Sequence, residues 1–350
     1  MERRRPPLRR HGGRVVIRAA PRRAVLAAGL AAPALALSEG SRAQGGWAPT
    51  RPLRLVIPFP PGGTTDMVGR MVAERLAPKL GQPVVVENRP GAGGNLAGEV
   101  VARAEPDGGT LLFTSIGTGA INYSVYGARM PWKPEDMAAV GLVTRMPNVL
   151  MVANRMPVQT MAQFLDFARG RQGEITYGTA GIGSSPHVCM ELLSQITGIR
   201  LVHVPFRGSG PMLTELMAER VDCGMDNIPS ALPFIRDGQI RALGMSGASR
   251  ASVVPNVPVI AETIPGFEAT AWFGVQTSSR VPRAAIERIG AEIDGIARTP
   301  AFRARLAEFG ADGPGLTPDG GSSPAAFQAF LAAEIRKWAE VVQKANLTAS

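Results

Sequence analysis

The stretch Leu53-Arg54-Leu55-Val56-Ile57-Pro58-Phe59-Pro60-Pro61-Gly62-Gly63-Thr64-Thr65-Asp66 decides the fold. Its apolar, β-branched start reads as a strand, and three prolines with two glycines end that strand abruptly. Beyond the break, Met67, Val68, Met71, Val72, Leu76 and Leu80 recur at helical spacing, and Gly81 stands where a left-handed residue closes a helix. Val84 to Val86 restart a strand, so the segment spells a βαβ crossover. Such a unit leaves its first loop at the carboxyl end of a strand, where open α/β sheets bind ligands. Free amides in the first helical turn, near Thr64 to Asp66, favour a negatively charged group there.

The same design recurs downstream. Glu87 to Asn95 leads into a helix through Val100, Val101 and Ala104, and Thr110 to Ser115 is the next strand, followed by the glycine-containing loop Ile116 to Asn122. Val149 to Val152 is a strand, Met161 to Arg169 a helix, and Ile175 to Gly178 a strand that runs into the loop Thr179 to His187. A helix with Met190, Leu192, Leu193 and Ile196 then ends at Gly198, with Pro186 in its first turn and Ser184 or Ser185 as its cap. Strands at Leu201 to Val204, Val221 to Asp226 and Ile240 to Met245 alternate with helices to complete a second α/β set. After the strand Phe267 to Thr277 only helices follow, so the chain is expected to return to its first lobe there. The expected boundaries are a leader at 1–43, lobe 1 from 44–145 plus 268–350, and lobe 2 from 146–267. Gly320 to Ser323 reads as a flexible surface insertion.

The net charge of +10 over 350 residues looks like a nucleic-acid signal until it is located. Residues 1–43 hold ten of the 38 basic and two of the 28 acidic residues, which leaves 28 against 26, or +2, for the rest. Nucleic acid is therefore not an expected partner. The leader has an arginine-rich start, an apolar core from Ala24 to Leu37 and small residues before Gln44, the pattern of a signal peptide cut after Ala43. An exported, soluble protein is expected from it, with a monomer as its expected state, and Arg22-Arg23 allows a twin-arginine export route. Cys189 and Cys223 are the only cysteines and read as buried thiols rather than a bridge or metal ligands.

Catalytic motifs do not assemble. Gly91-x-Gly93-Gly94-x-x-x-Gly98 is separated from its preceding strand by Arg89-Pro90 and lacks the acidic partner of a dinucleotide fingerprint, and no cofactor is expected. Ser184 with His187 is the one hydrolase-like pair, but no Gly-x-Ser-x-Gly elbow accompanies it. His187 reads equally as a helix-start hydrogen-bonding residue or a ligand contact, Asp66 as a cap or a ligand contact, and Trp272 with Phe273 as core. Arg207 can grip a carboxylate with its forked donors, and Asp226-Asn227 at a strand end can face the cleft.

The segments Arg51-Pro52-x-Arg54-x-Val56-x-Pro58-Phe59-Pro60-Pro61-Gly62-Gly63-x-x-Asp66, Glu87-Asn88-Arg89-Pro90-Gly91-Ala92-Gly93-Gly94, Gly117-Thr118-x-Ala120-Ile121-Asn122, Gly181-x-Gly183-Ser184 and His203-Val204-Pro205-Phe206-Arg207-Gly208 occur in one order. In these motifs the chain resembles the substrate-binding proteins of tripartite tricarboxylate transporters, the Bug family, over about residues 50 to 345. The resemblance implies an α/β fold of the type II periplasmic binding protein kind, two α/β lobes with a ligand cleft between them. It implies a receptor that carries a small organic carboxylate to a membrane permease, or, alternatively, presents its closed form to a regulator. It also implies that Phe59, Gly62, Gly63 and Asp66, with Thr118, Ala120 and Asn122, form the first wall, and that Gly181, Gly183, Ser184, His187 and Asp226 form the second. Backbone amides and bridging waters would hold the anion. Phe206-Arg207 stands where the family more often has tyrosine and lysine, and Trp132-Lys133 where it has tyrosine and aspartate.

Overall fold

The computed structural model describes residues 46–349 and, before them, Gly12 alone, so the signal-peptide reading of residues 1–43 lies outside the described residues. The opening unit forms as its residues predict. β1 (Leu53–Ile57) lies parallel to β2 (Val84–Asn88), Leu53 opposite Val84 and Ile57 opposite Asn88, and α1 (Thr64–Leu80) crosses between them until Gly81 at φ 68° ends it. Pro78 inside α1 costs on the order of 3 kcal/mol. Val68, Val72, Leu76 and Leu80 are buried on one stripe at about 1.5–3 kcal/mol each, so packing outweighs the proline.

β3 (Thr110–Ser115) adds in parallel on the other side of β1, with α2 (Asn95–Ala102) as the connection. The Ile116 to Asn122 segment, read from sequence as a loop, is instead wound into a π-helical turn, Gly117–Ile121, that runs into α3 (Asn122–Tyr126). The Thr118 hydroxyl accepts from the Ser115 amide and so fastens the turn to the strand end.

The remaining elements are β4 (Met137–Val152), α4 (Met161–Arg169), β5 (Thr176–Thr179), α5 (Ser185–Thr197), β6 (Val202–Pro205), α6 (Ser209–Met217), β7 (Cys223–Asn227), α7 (Ile228–Arg236), β8 (Arg241–Met245), β9 (Thr270–Ser278), α8 (Arg283–Arg298), α9 (Pro300–Glu308) and α10 (Pro324–Lys344). The strand order is β2-β1-β3-β9-β4-β7-β5-β6, with β8 also pairing to β4. β4 is the element the two halves share. From Met137 to Pro147 it runs antiparallel to β9, and from Asn148 to Val152 it runs antiparallel to β7. Sequence reading found only its second part, because residues 139–144 are buried on both faces and show no alternation.

A continuous apolar core spans both halves, and a smaller cluster of Val56, Ala97, Val101, Leu112, Trp132 and Met137 fills the other face of β1 and β3. Gly320 to Ser323 is no flexible insertion: Ser322 is buried, its Oγ accepts from the Leu142 amide at 2.9 Å, and its own amide donates to Asp294 Oδ1 at 2.7 Å. Cys189 and Cys223 are separate buried thiols.

Gly98 belongs to the smaller cluster's lining, where a Cβ would overlap the Trp132 indole. The glycine of the would-be dinucleotide fingerprint thus serves ring packing. We expect Gly98→Ala to lower unfolding free energy by about 1–3 kcal/mol in urea titration, despite alanine's better helix propensity, since a buried ring cannot step aside.

Candidate functional site

Parallel strands deliver their following helices with N-termini on one rim, and the strand reversal at β4 turns two such rims toward each other. A cavity of about 50 Å³ lies between them. Its first wall contains Phe59, Gly63, Thr64, Thr65 and Ser115, and its second Ser184, Ser185, Gly208, Ser209 and Asn227, with Phe273 of β9 at the base. Gly63, Ser184, Gly208 and Asn227 are the N-cap residues of α1, α5, α6 and α7, and none of these four helices has a side-chain cap. By contrast Thr160, Thr299 and Ser323 cap α4, α9 and α10 with their hydroxyls. Four sets of first-turn amides, each equivalent to about half a positive charge, therefore border one small space. Arg207 is the one charged residue of the lining, and its side chain is exposed at the rim.

The walls touch. Thr64 Oγ1 donates to Ser230 Oγ at 3.2 Å, and a Cβ on Gly63 would lie 3.7 Å from Ser209 Oγ. An ordinary ligand pocket is roughly 300 Å³ or more, so the cleft is closed upon itself and must part to admit an organic molecule.

Of the residues expected from sequence, Phe59, Gly63, Ser184 and Arg207 line the cavity. The others are not part of its lining. Asp66 is buried at the start of α1, where it accepts from the Gly62 amide, from Arg70 and from Asn88. Burial pushes its carboxyl up, but those hydrogen bonds together hold it below the usual range. It locks the Pro-Pro-Gly-Gly loop to β2. Gly62 takes part through that bond. Thr118 and Ala120 are fully buried in the π-helical turn, and the Asn122 side chain donates to Gly93 O and Asn95 Oδ1. Gly183, at φ 77°, packs so closely on Asn122 Oδ1 that a side chain would collide. Gly181 O accepts the Ser184 hydroxyl at 2.6 Å, so Ser184 braces its own loop and does not cap α5 as its position predicts.

His187 Nδ1 accepts from the Gly183 amide at 3.2 Å, and its ring stacks on His203 at 4.0 Å. Nε2 of His203 meets Thr179 Oγ1 at 2.7 Å, and Tyr177, bonded to Glu191, closes the stack on the far side. Burial lowers His187 to about 4. Burial, reinforced by repulsion from His187, lowers His203 to about 3. Both are neutral supports of the second wall, and Ser184 Oγ points at Gly181 rather than at His187 as a nucleophile's would. Asp226 is fully buried. It accepts from Ser209 Oγ at 2.9 Å, Ser230 Oγ at 2.7 Å and the Asn227 amide at 2.8 Å, and burial, against those bonds, raises it to about 6.

Asn227, read together with Asp226 as a strand-end residue able to face the cleft, does line the cavity, and Thr64, Thr65 and Ser185 line it from within the loops expected as walls; Ser115 and Ser209 were not singled out from sequence, and Phe273 was placed in the core alone. Small polar residues flanking a strand-to-helix junction were the available signal.

A model of the tripartite tricarboxylate transporter family receptor matches residues 68–347. The protein BugT of Bordetella pertussis is 33% identical over 299 residues, which cover 85% of this chain and 90% of that protein. Rpa4515 of R. palustris, solved with adipate, superimposes with a TM-score of 0.81 at 35% identity over 86% of this chain and 99% of its own. MatC from Rhodopseudomonas palustris, solved with bound malate, gives 0.78 at 32% identity over 84% and 99%. The periplasmic binding protein BugD gives 0.79 at 29% identity over 86% and 100%. The two-lobed α/β periplasmic binding protein architecture read from sequence is the fold these structures share with the chain.

The histidine stack sets a pH dependence. The unfolded chain protonates His187 near 6.5 and the folded one near 4, so below pH 6.5 the unfolded state binds more protons and stability falls as pH drops. We expect His187 to account for a loss on the order of 3 kcal/mol between pH 6.5 and 4 in urea unfolding, and His187→Gln to flatten that slope.

Proposed function

Because this chain belongs to the tripartite tricarboxylate transporter receptor family, we propose that it captures a small organic carboxylate between its lobes and delivers it, as a monomer, to a tripartite tricarboxylate-type permease. The family is one of solute receptors, not of enzymes. The observation that carries the carboxylate reading is the set of four uncapped helix N-termini around a cavity whose one charged lining residue is Arg207. Each terminus favours an anion by roughly 0.3–2 kcal/mol, and none brings a fixed charge that would make release slow. The relatives solved with adipate and with malate agree with an organic acid.

In this reading Phe59, Gly63, Ser184 and Arg207 meet the ligand, while Gly62, Asp66, Thr118, Ala120, Asn122, Gly181, Gly183, His187 and Asp226 hold the two walls in shape. The lobes are 44–145 plus 268–350 and 146–267. The hand-over of β4 from β9 to β7 between Pro147 and Asn148 supports a hinge at that place. A periplasmic location after removal of residues 1–43 completes the proposal.

A thermal-shift screen against organic acids tests it. A ligand that binds only the folded form raises the midpoint, and we expect one or more carboxylates to do so while amines and neutral sugars do not. Gly63 has an ordinary φ of −82°, so Gly63→Val folds. Its branched side chain reaches toward Ser209 across the cleft, and calorimetry should record at least a hundredfold loss of affinity. Unchanged affinity would remove the α1 N-terminus from the site, and conversion of the acid to a product would overturn the receptor reading.

A further inference from the structure

The hydroxyl groups of the second wall have already spent their protons. Ser184 Oγ donates to the Gly181 carbonyl at 2.6 Å, and Ser185 Oγ donates to Asn148 Oδ1 at 3.2 Å. Ser209 Oγ donates to Asp226 Oδ1 at 2.9 Å. Asn227 uses its side-chain amide on Asn148 Oδ1 at 2.7 Å and on Ser185 Oγ at 3.3 Å. A carbonyl and an ionised carboxylate can only accept, so the Ser184 and Ser209 protons have no freedom to turn inward. All four residues line the cavity, and what their side chains can offer a ligand is oxygen lone pairs. On the facing wall, no partner for the Thr65 and Ser115 hydroxyls appears among the described residues, and those two remain able to donate to a carboxylate oxygen.

A plain dicarboxylate has no proton to give. When the cleft closes on it, its oxygens find the helix amides, but they also face the second wall's lone pairs, and those acceptors lose their water without gaining a partner. An acid with a donor beside the carboxylate satisfies both sets, its oxygens taking the amides and its donor the serine oxygens. That donor is a hydroxyl rather than an ammonium. Asp226 is fully buried with three hydrogen bonds filling it, Asp66 is turned to Arg70 and Asn88, and the remaining charge at the cavity is the cationic Arg207. An ammonium would enter without a counter-ion.

Resting on the carboxylate-receptor reading above, we propose that this site selects hydroxy acids over plain dicarboxylates, and that Asp226 is the positioning residue that sets this selectivity by fixing the Ser209 proton away from the ligand. Asp226 reaches the first wall as well, through Ser230 to Thr64, so the same carboxylate orients the hydrogen-bond chain that crosses the closed cleft.

Titration calorimetry on the full-length mature protein at pH 8, with Asp226 ionised, compares succinate, malate and aspartate, three four-carbon acids that differ at one substituent. We expect malate to bind at least tenfold more tightly than either of the others, because a site built to pair a hydroxyl rejects the analogue that lacks it. Asp226→Asn supplies a donor to Ser209 and frees its proton, and Ser209→Ala removes the oxygen. In either variant the malate-to-succinate ratio should collapse to within about threefold, a readout that loosened packing alone would not move. Cooperative melting certifies each variant, and Ser185→Ala serves if one of them does not fold. Equal affinity for malate and succinate in the parent protein, or an unaltered ratio in the folded variants, overturns the inference and leaves the carboxylate reading standing. Tighter binding of aspartate overturns it in favour of an amino acid. If no acid of a wider panel is bound, the carboxylate reading itself fails and takes this inference with it.

Discussion

Everything in this molecule depends on the change of partners along β4. One extended strand is antiparallel to β9 as far as Pro147 and to β7 from Asn148 onward. Asn148 sits at the switch with both ends of its side-chain amide bonded: Nδ2 donates to Ala269 O, and Oδ1 accepts from Ser185 and Asn227. A single buried amide thus ties the segment leading into β9, the start of α5 and the start of α7 to the same point. Backbone pairing cannot continue straight through such a switch, so the two halves of the sheet face each other across it. The helix termini that each half would present to solvent instead face one another.

That arrangement converts a general property of parallel sheets into a site. One helix N-terminus attracts an anion weakly, and water competes for it. Four without side-chain caps, around a cavity of about 50 Å³, act together with little solvent between them. Arg207 apart, the ionisable residues of the neighbourhood are held back from the cavity. Asp66 clamps a loop, Asp226 orients hydroxyls, and the two histidines stay neutral in a stack with Tyr177. In the proposed receptor, shape and dipoles provide the attraction, while the buried charges hold the walls in place.

How much could be read without coordinates varied with the physical signal. Residues 53–81 carry strong local information, since prolines, glycines and a 3.6-residue apolar period each exclude alternatives, and the element ends fall within a residue or two of the reading. Residues 137–147 carry almost none, because a strand buried on both faces has no alternation. Gly117 to Ile121 looks like a loop by composition, yet it is helical, as Gly119 must fit against Trp272, where a Cβ would lie 2.7 Å from the ring. Gly320 to Ser323 looks like a surface excursion, and long-range bonds to Leu142 and Asp294 pin it instead.

The sequence by itself determined the βαβ order, the glycine and proline loops at the strand ends, the separation of basic charge into residues 1–43, and the family. Each of these is written in neighbouring residues, through backbone restriction, periodicity and composition. Tertiary structure alone decided which members of those loops face the cavity and which brace it, and it gave Asp66, His187 and Asp226 their supporting positions. It also decided where the hydroxyl protons point. The direction of a serine proton is set by the nearest acceptor, and for Ser209 that acceptor is Asp226, 17 residues away in the chain and 2.9 Å away in space.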